Sequence, residues 1–286
     1  MLKRLFAYVV MTLCVSMSML GTDADGDAPG MPAHIVLLGD SNTWIGGDDC
    51  SSPRGWNYWF AREFDSSDVV SYARSGATWS HTSSTTRNPA HYSEIITDDN
   101  VIYNQIIRLI EAVDSRSQQS PDLIMIAAGT NDAWFPQFRP EEFSLSASEA
   151  LGRDIGELLS LPPGKVLSLP EAVRYDLLIL SARFPDARLI VMTPMQSVKI
   201  SDKMLADVST IIDEVAARSG ASVIRQDLLC PVNSAAEMVT RRLTTDGTHT
   251  SEEGARKNAA VIIKCVKQIL DTQSASSSGD DRQNIF

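Results

Sequence analysis

Four short segments hold the side chains best suited to chemistry: Gly39-Asp40-Ser41-Asn42, Ser75-Gly76-Ala77, Gly129-Thr130-Asn131-Asp132 and Asp246-Gly247-Thr248-His249. They supply a hydroxyl, an amide, an imidazole and several carboxylates, the groups from which acyl-transfer sites are built. A serine hydroxyl is too weak a nucleophile at neutral pH to act without a neighbouring base. Of the four histidines, His34 falls in a strand pattern and His81 and His91 in a polar loop, so His249 has few rivals as that base. Each residue also has an ordinary structural reading: Ser41 as a helix N-cap, Gly76 as a turn glycine, His249 as a surface side chain ahead of a helix. A metal-dependent phosphoesterase would instead use Asp40, Asp132, Asp246 and His249 as ligands. A serine and an amide at the pocket centre suit an oxyanion better than a hard cation. No Gly-x-Ser-x-Gly elbow occurs, which argues against an α/β-hydrolase arrangement.

Short apolar runs rich in β-branched residues alternate with longer stretches of helical period, the pattern of a parallel sheet covered by helices. Strands are expected over 34–38, 69–73, 123–127, 188–192 and 222–225, and helices over 56–64, 101–116, 171–183 and 204–218. A last helix over 251–270 has Ser251 as its N-cap and Glu252 and Glu253 in the dipole-favoured first turn. The fold class is α/β: a three-layer α/β/α sandwich on a flavodoxin-like parallel five-stranded sheet of order 2-1-3-4-5. In that order the first and third strands are neighbours, and ligands bind where the chain reverses direction between them. Ser41 and Asn131 then lie side by side, with Gly76 next to them.

Trp44, Trp79 and Trp134 each follow a site residue (Ser41, Gly76, Asn131) by three positions. Three indoles at one rim would suit sugar rings, and the expected ligand is an acylated carbohydrate with acetate as the acyl group. Packing beneath the loops is the alternative.

Together the four segments resemble the SGNH/GDSL hydrolase superfamily. Its first block matches Gly39-Asp40-Ser41, its second-block glycine Gly76, its third block Gly129-Thr130-Asn131-Asp132, and its last block Asp246 and His249. The resemblance spans about residues 34–268. It implies Ser41 as nucleophile, His249 as base, Asp246 as the group that orients the imidazole, and an oxyanion hole of the Ser41 and Gly76 N–H groups and the Asn131 side chain. Two departures stand out: Thr250 replaces the proline common after the catalytic histidine, and no asparagine precedes Gly76. The implied activity is hydrolysis of short-chain acyl esters, with no cofactor and no metal. A lipase, a thioesterase, an acyltransferase or a non-catalytic glycan-binding protein of the same fold are the alternatives; no long apolar lid segment favours the lipase.

With 286 residues, one domain is the default, and a net charge of −11 argues against a nucleic-acid partner. Lys3 and Arg4 precede an apolar stretch from Leu5 to Val15 and then small residues, the order of a secretory signal peptide. That stretch is shorter than the roughly 20 residues a membrane-spanning helix needs, so export without stable membrane insertion is expected. The expected organisation is a signal peptide over 1–21, a disordered linker over 22–31, the hydrolase domain over 32–271 with an irregular, proline-broken insertion at 133–170, and a disordered tail over 272–286. Cys50, Cys230 and Cys265 would remain after export, either as one disulfide and a spare thiol or as buried free thiols. The partner expected is a small-molecule or glycan ester.

Overall fold

The computed structural model describes residues 31–65, 67–85 and 100–280, with side chains through 272. The expected signal peptide, most of the linker, Cys14 and His91 lie outside them. Strands β1 (His34–Gly39), β2 (Asp68–Ser71), β3 (Leu123–Ala127), β4 (Arg188–Met192) and β5 (Ser222–Ile224) form a parallel sheet of order 2-1-3-4-5, as expected. Alternate residues of each strand point to opposite faces. Val36, Leu38, Ile124, Ile126 and Val191 face a core completed by helices at 102–114, 169–183 and 202–218. Ile35, Leu37, Leu123, Met125, Ile190 and Met192 face helices at 56–63 and 252–270. Burial on both faces is why these strands read as unbroken apolar runs.

The helices, in chain order, are α1 (Ser41–Trp44), α2 (Trp56–Glu63), α3 (Ile102–Asp114), α4 (Thr130–Trp134), α5 (Ala147–Gly152), α6 (Ile155–Ser160), α7 (Leu169–Arg183), α8 (Asp202–Arg218), α9 (Gln226–Leu229), α10 (Ser234–Val239) and α11 (Glu252–Asp280). The stretch expected to be irregular is ordered instead. A capping box between Ser146 and Glu149 starts α5, and the Arg174 guanidinium of α7 donates to the carbonyls of Ala150 (2.6 Å) and Arg153 (2.7 Å) at its end. Ala147 and Ala150 of α5 and Leu158 of α6 are the residues these helices bury. Pro170 does not break the chain but occupies the first turn of α7, where a missing N–H costs nothing. That helix therefore begins at Leu169, ahead of the expected start. At the other end α11 continues to Asp280, past the boundary expected at 271. The Ser251 hydroxyl caps it, accepting from the Gly254 N–H at 3.2 Å. Cys50, Cys230 and Cys265 are unpaired.

Two buried carboxyl groups, Asp132 of α4 and Glu142, share one serine hydroxyl. The Ser80 hydroxyl lies 2.8 Å from Asp132 Oδ1 and 3.1 Å from Glu142 Oε1, and both carboxyl groups are fully buried. Burial, and after it the neighbouring Asp132 carboxylate, push the Glu142 carboxyl up to about 10. Folded Glu142 thus keeps its proton where an unfolded glutamate, titrating near about 4.3, has lost it. Folding takes up a proton between those values, and stability falls as pH rises through that window. Glu142→Gln supplies the same shape without the ionisation. Unfolding free energies from urea titrations at pH 5, 7 and 9 should fall less steeply for the variant, by an amount on the order of a few kcal/mol across the range. Parallel declines would show that Glu142 ionises freely in the folded chain.

Candidate active site

The carboxyl ends of β1 and β3 define the site. Gly39 ends β1 against β3 so closely that a Cβ there would lie 2.5 Å from the Ala127 carbonyl oxygen. Gln105, on the buried face of α3, grips that strand end, accepting from the Gly39 N–H and donating to the Gly39 carbonyl, both at 2.9 Å. Asp40 follows and caps α1, its carboxylate accepting from the Asn42 N–H at 3.0 Å. Burial raises the Asp40 carboxyl above its ordinary value, opposed by the Thr130 hydroxyl and the Asn42 N–H. The cap is therefore Asp40, and the hydroxyl of Ser41 is left for another partner.

That partner is His249, whose Nε2 lies 2.8 Å from Ser41 Oγ, while its Nδ1 lies 2.7 Å from Asp246 Oδ2. A carboxylate can only accept, so Nδ1 carries the ring proton and the Nε2 lone pair faces the serine hydroxyl. Asp246 is itself fixed: its Oδ1 accepts from the N–H groups of Thr248 (2.9 Å) and His249 (2.8 Å). Burial works to raise its carboxyl, but the His249 N–H, the imidazole and the Thr248 N–H outweigh it and hold the group down at about 2. Thr250 anchors the far side of this loop by donating to the Arg54 carbonyl at 2.8 Å.

Gly76 sits in the turn Arg74 to Ala77, closed by the Ala77 N–H donating to the Arg74 carbonyl at 3.2 Å, with φ +76° at Gly76. A turn with positive φ at its third position calls for glycine, so the turn reading of this residue holds whatever else it does. Asn131, in the first turn of α4, donates one amide N–H to the Ala77 carbonyl at 2.8 Å. Its amide is thereby oriented, and among the described residues its second N–H meets no acceptor. Asp132 serves the scaffold, accepting from the backbone N–H groups of Trp79 (3.1 Å) and Ser80 (3.0 Å).

The tryptophans divide. Trp44 and Trp134 are half-buried, Trp134 stacked on Phe135 with ring centroids 4.8 Å apart. Trp79 is fully buried at 0 % exposure and belongs to the core, which overturns its expected place on the rim. An offset of three residues keeps two side chains on one face only along a helix. Ser41 to Trp44 and Asn131 to Trp134 are helical, whereas Gly76 to Trp79 is a turn that leads inward. His81, discounted as a base, is buried with Nδ1 2.9 Å from the Pro163 carbonyl. Sequence reasoning missed Gln105; the signal was a polar residue among Ile102, Ile106 and Leu109 on the apolar face of α3.

A three-layer α/β sandwich with hydrogen-bonded Ser, His and Asp side chains at its switch point defines the class of the protein. The chain belongs to the GDSL-like Lipase/Acylhydrolase family, whose model matches residues 37–257. A search of curated proteins returns no match. Among solved structures, a candidate GDSL-like lipase from Bacteroides uniformis is similar with a TM-score of 0.52 and 20% identity, over 82% of this chain and 96% of that one. A second candidate GDSL-like lipase, from Bacteroides ovatus, gives a TM-score of 0.52 and 17% identity over 84% of this chain and 100% of that one. An acetyl xylan esterase gives a TM-score of 0.50 and 15% identity over 82% and 99%. At these identities the likeness is one of fold.

Proposed function

We propose that the chain is a serine esterase that hydrolyses short-chain acyl esters, acetyl esters above all, in an exported setting. The observation that carries this reading is the unbroken relay from Ser41 Oγ through the His249 ring to Asp246, with both contacts under 3 Å. Ser41 attacks the ester carbonyl as His249 takes its proton, and the same imidazole then protonates the departing alcohol. Water, deprotonated by His249, releases the acyl group and restores the serine. The charge on the tetrahedral oxygen is met by the Ser41 and Gly76 N–H groups and the free amide N–H of Asn131. The tether from Asn131 to Ala77 supports that role, because it fixes the donor before substrate arrives. Export is supported by the order of charges and apolar residues at 1–21. Acetate as the acyl group draws support from the acetyl xylan esterase of similar fold. A carbohydrate alcohol rests now on Trp44 and Trp134.

The test is a series of chromogenic esters from acetate to octanoate, together with an organophosphonate that traps active serines. Acetate should be turned over fastest, and mass spectrometry should find one adduct, on Ser41. A chain that hydrolyses none of them and carries no adduct would rule the reading out. Asn131→Ala should lower kcat by about 10²–10³-fold on the acetate, the usual cost of one oxyanion donor. A change only in KM would assign the amide to substrate binding instead.

A further inference from the structure

A cleft of about 520 Å³ has walls that include Trp44, Ile45, Asp48, Ser52, Arg54 and Arg74. That is within the size range of small-ligand sites. Three of these residues are joined to the proposed machinery. Trp44 lies one helical turn from Ser41 on α1, Arg74 opens the turn that holds Gly76, and the Arg54 carbonyl receives the Thr250 hydroxyl next to His249. The loop that carries Arg54 is braced: Trp59 donates to the Pro53 carbonyl at 3.0 Å, the Ser52 N–H to the Gly46 carbonyl at 2.9 Å, and Trp56 to Thr43 Oγ1 at 3.0 Å.

The charges in the cleft are unequal. Arg74 is neutralised in place by a two-pronged contact with Asp48, at 2.8 and 3.2 Å. Arg54 is exposed, and among the described residues its guanidinium meets no carboxylate. One uncompensated cation therefore faces the cleft, in a chain whose net charge of −11 would otherwise repel anions. A guanidinium fork matches a carboxylate in geometry, and a single positive charge matches a monoanion. The half-buried Trp44 indole supplies an apolar face alongside it.

We propose that this cleft binds the alcohol part of the ester and selects a sugar ring bearing a carboxylate, the ring face against Trp44 and the carboxylate on Arg54. The proposal rests on the esterase reading of Ser41 for its orientation relative to the scissile bond. It adds a substrate class: acetylated acidic sugars, in preference to neutral ones.

Two methyl glycosides, of glucose and of glucuronic acid, each with one acetyl ester, are offered to the wild type and to Arg54→Gln. The wild type should prefer the uronoside, and Arg54→Gln should lower that preference in kcat/KM by about 10- to 100-fold, mainly through KM, as loss of one charge-assisted pair implies. Arg54→Lys should restore only part of it, having no fork. Equal use of the two glycosides by the wild type, or an unchanged preference in Arg54→Gln, overturns the proposal. So does a sulfated glucoside ester that competes equally with the uronoside, since the site would then read any anion. Failure of the esterase reading is seen separately, as absence of turnover of p-nitrophenyl acetate. In that event calorimetric binding of unacetylated methyl glucuronoside still decides the cleft: affinity lost in Arg54→Gln and in Trp44→Ala sustains it, and affinity indifferent to both overturns it.

Discussion

Ser41→Ala is expected to lower kcat on p-nitrophenyl acetate by about 10⁶-fold, the scale seen when the nucleophile of such a unit is removed. The size follows from what is lost. Without the hydroxyl no acyl-enzyme forms, and His249 is left with only water to activate, at a distance set for Oγ. Some acceleration over solution should persist, about 10³-fold, because the proposed oxyanion donors and substrate binding are untouched. The variant should fold normally: Asp40, not Ser41, caps α1, and the lost hydroxyl makes its contact at the pocket rather than in the core. His249→Ala should cost nearly as much, and the double variant no more than either alone, since the two act as one unit. Additive losses, or a Ser41→Ala loss under about 100-fold, would mean that another group performs the attack.

How much of this was legible in the sequence depends on the range of the forces involved. The three central strands are covered on both faces, so their apolar runs announce them, and 123–127 and 188–192 have the bounds read from the sequence. The edge strand β2 pairs on one side only and is half-exposed, and there the expected bounds slip to Asp68–Ser71. The short helices α5 and α6 carry too few residues to display a period. They are held by burial of their own Ala147, Ala150 and Leu158 and, at the end of α5, by Arg174, contacts that exist only in the folded chain. Asp246 and His249 sit within one loop and could be paired locally, but Ser41 is 208 positions from His249, and only the four-block resemblance joins them. At the strand-to-helix turn both Asp40 and Ser41 are N-cap residue types, and only the folded geometry assigns the cap to Asp40; the grip of Gln105 on Gly39 bridges 66 positions, so its polar place on an apolar face marks it without naming its partner. Trp79 misled because an offset of three was treated as helical where the chain turns.

Asp246→Asn should lower kcat by about 10⁴-fold while leaving KM nearly unchanged. In the proposed reaction the aspartate does not take part in bond making; it decides which ring nitrogen of His249 bears the proton. An asparagine at the same place can turn its amide N–H toward Nδ1, which then becomes the acceptor. The proton moves to Nε2, and the ring presents a donor to Ser41 Oγ where a lone pair is needed. Since the carboxyl is held down at about 2, Asp246 is ionised throughout the neutral and mildly acid range, and an acid limb in kcat/KM above about pH 4 is not its titration. Its contribution to stability has the sign of a depressed carboxylate: present above about 3.9, the unfolded value, and lost as pH falls toward 2. Thermal melts should therefore show the wild type losing more stability than Asp246→Asn between pH 4 and pH 2, and little difference in slope between pH 5 and pH 8. A variant that keeps more than a tenth of wild-type kcat would detach Asp246 from the relay and leave His249 to be oriented by its own backbone alone.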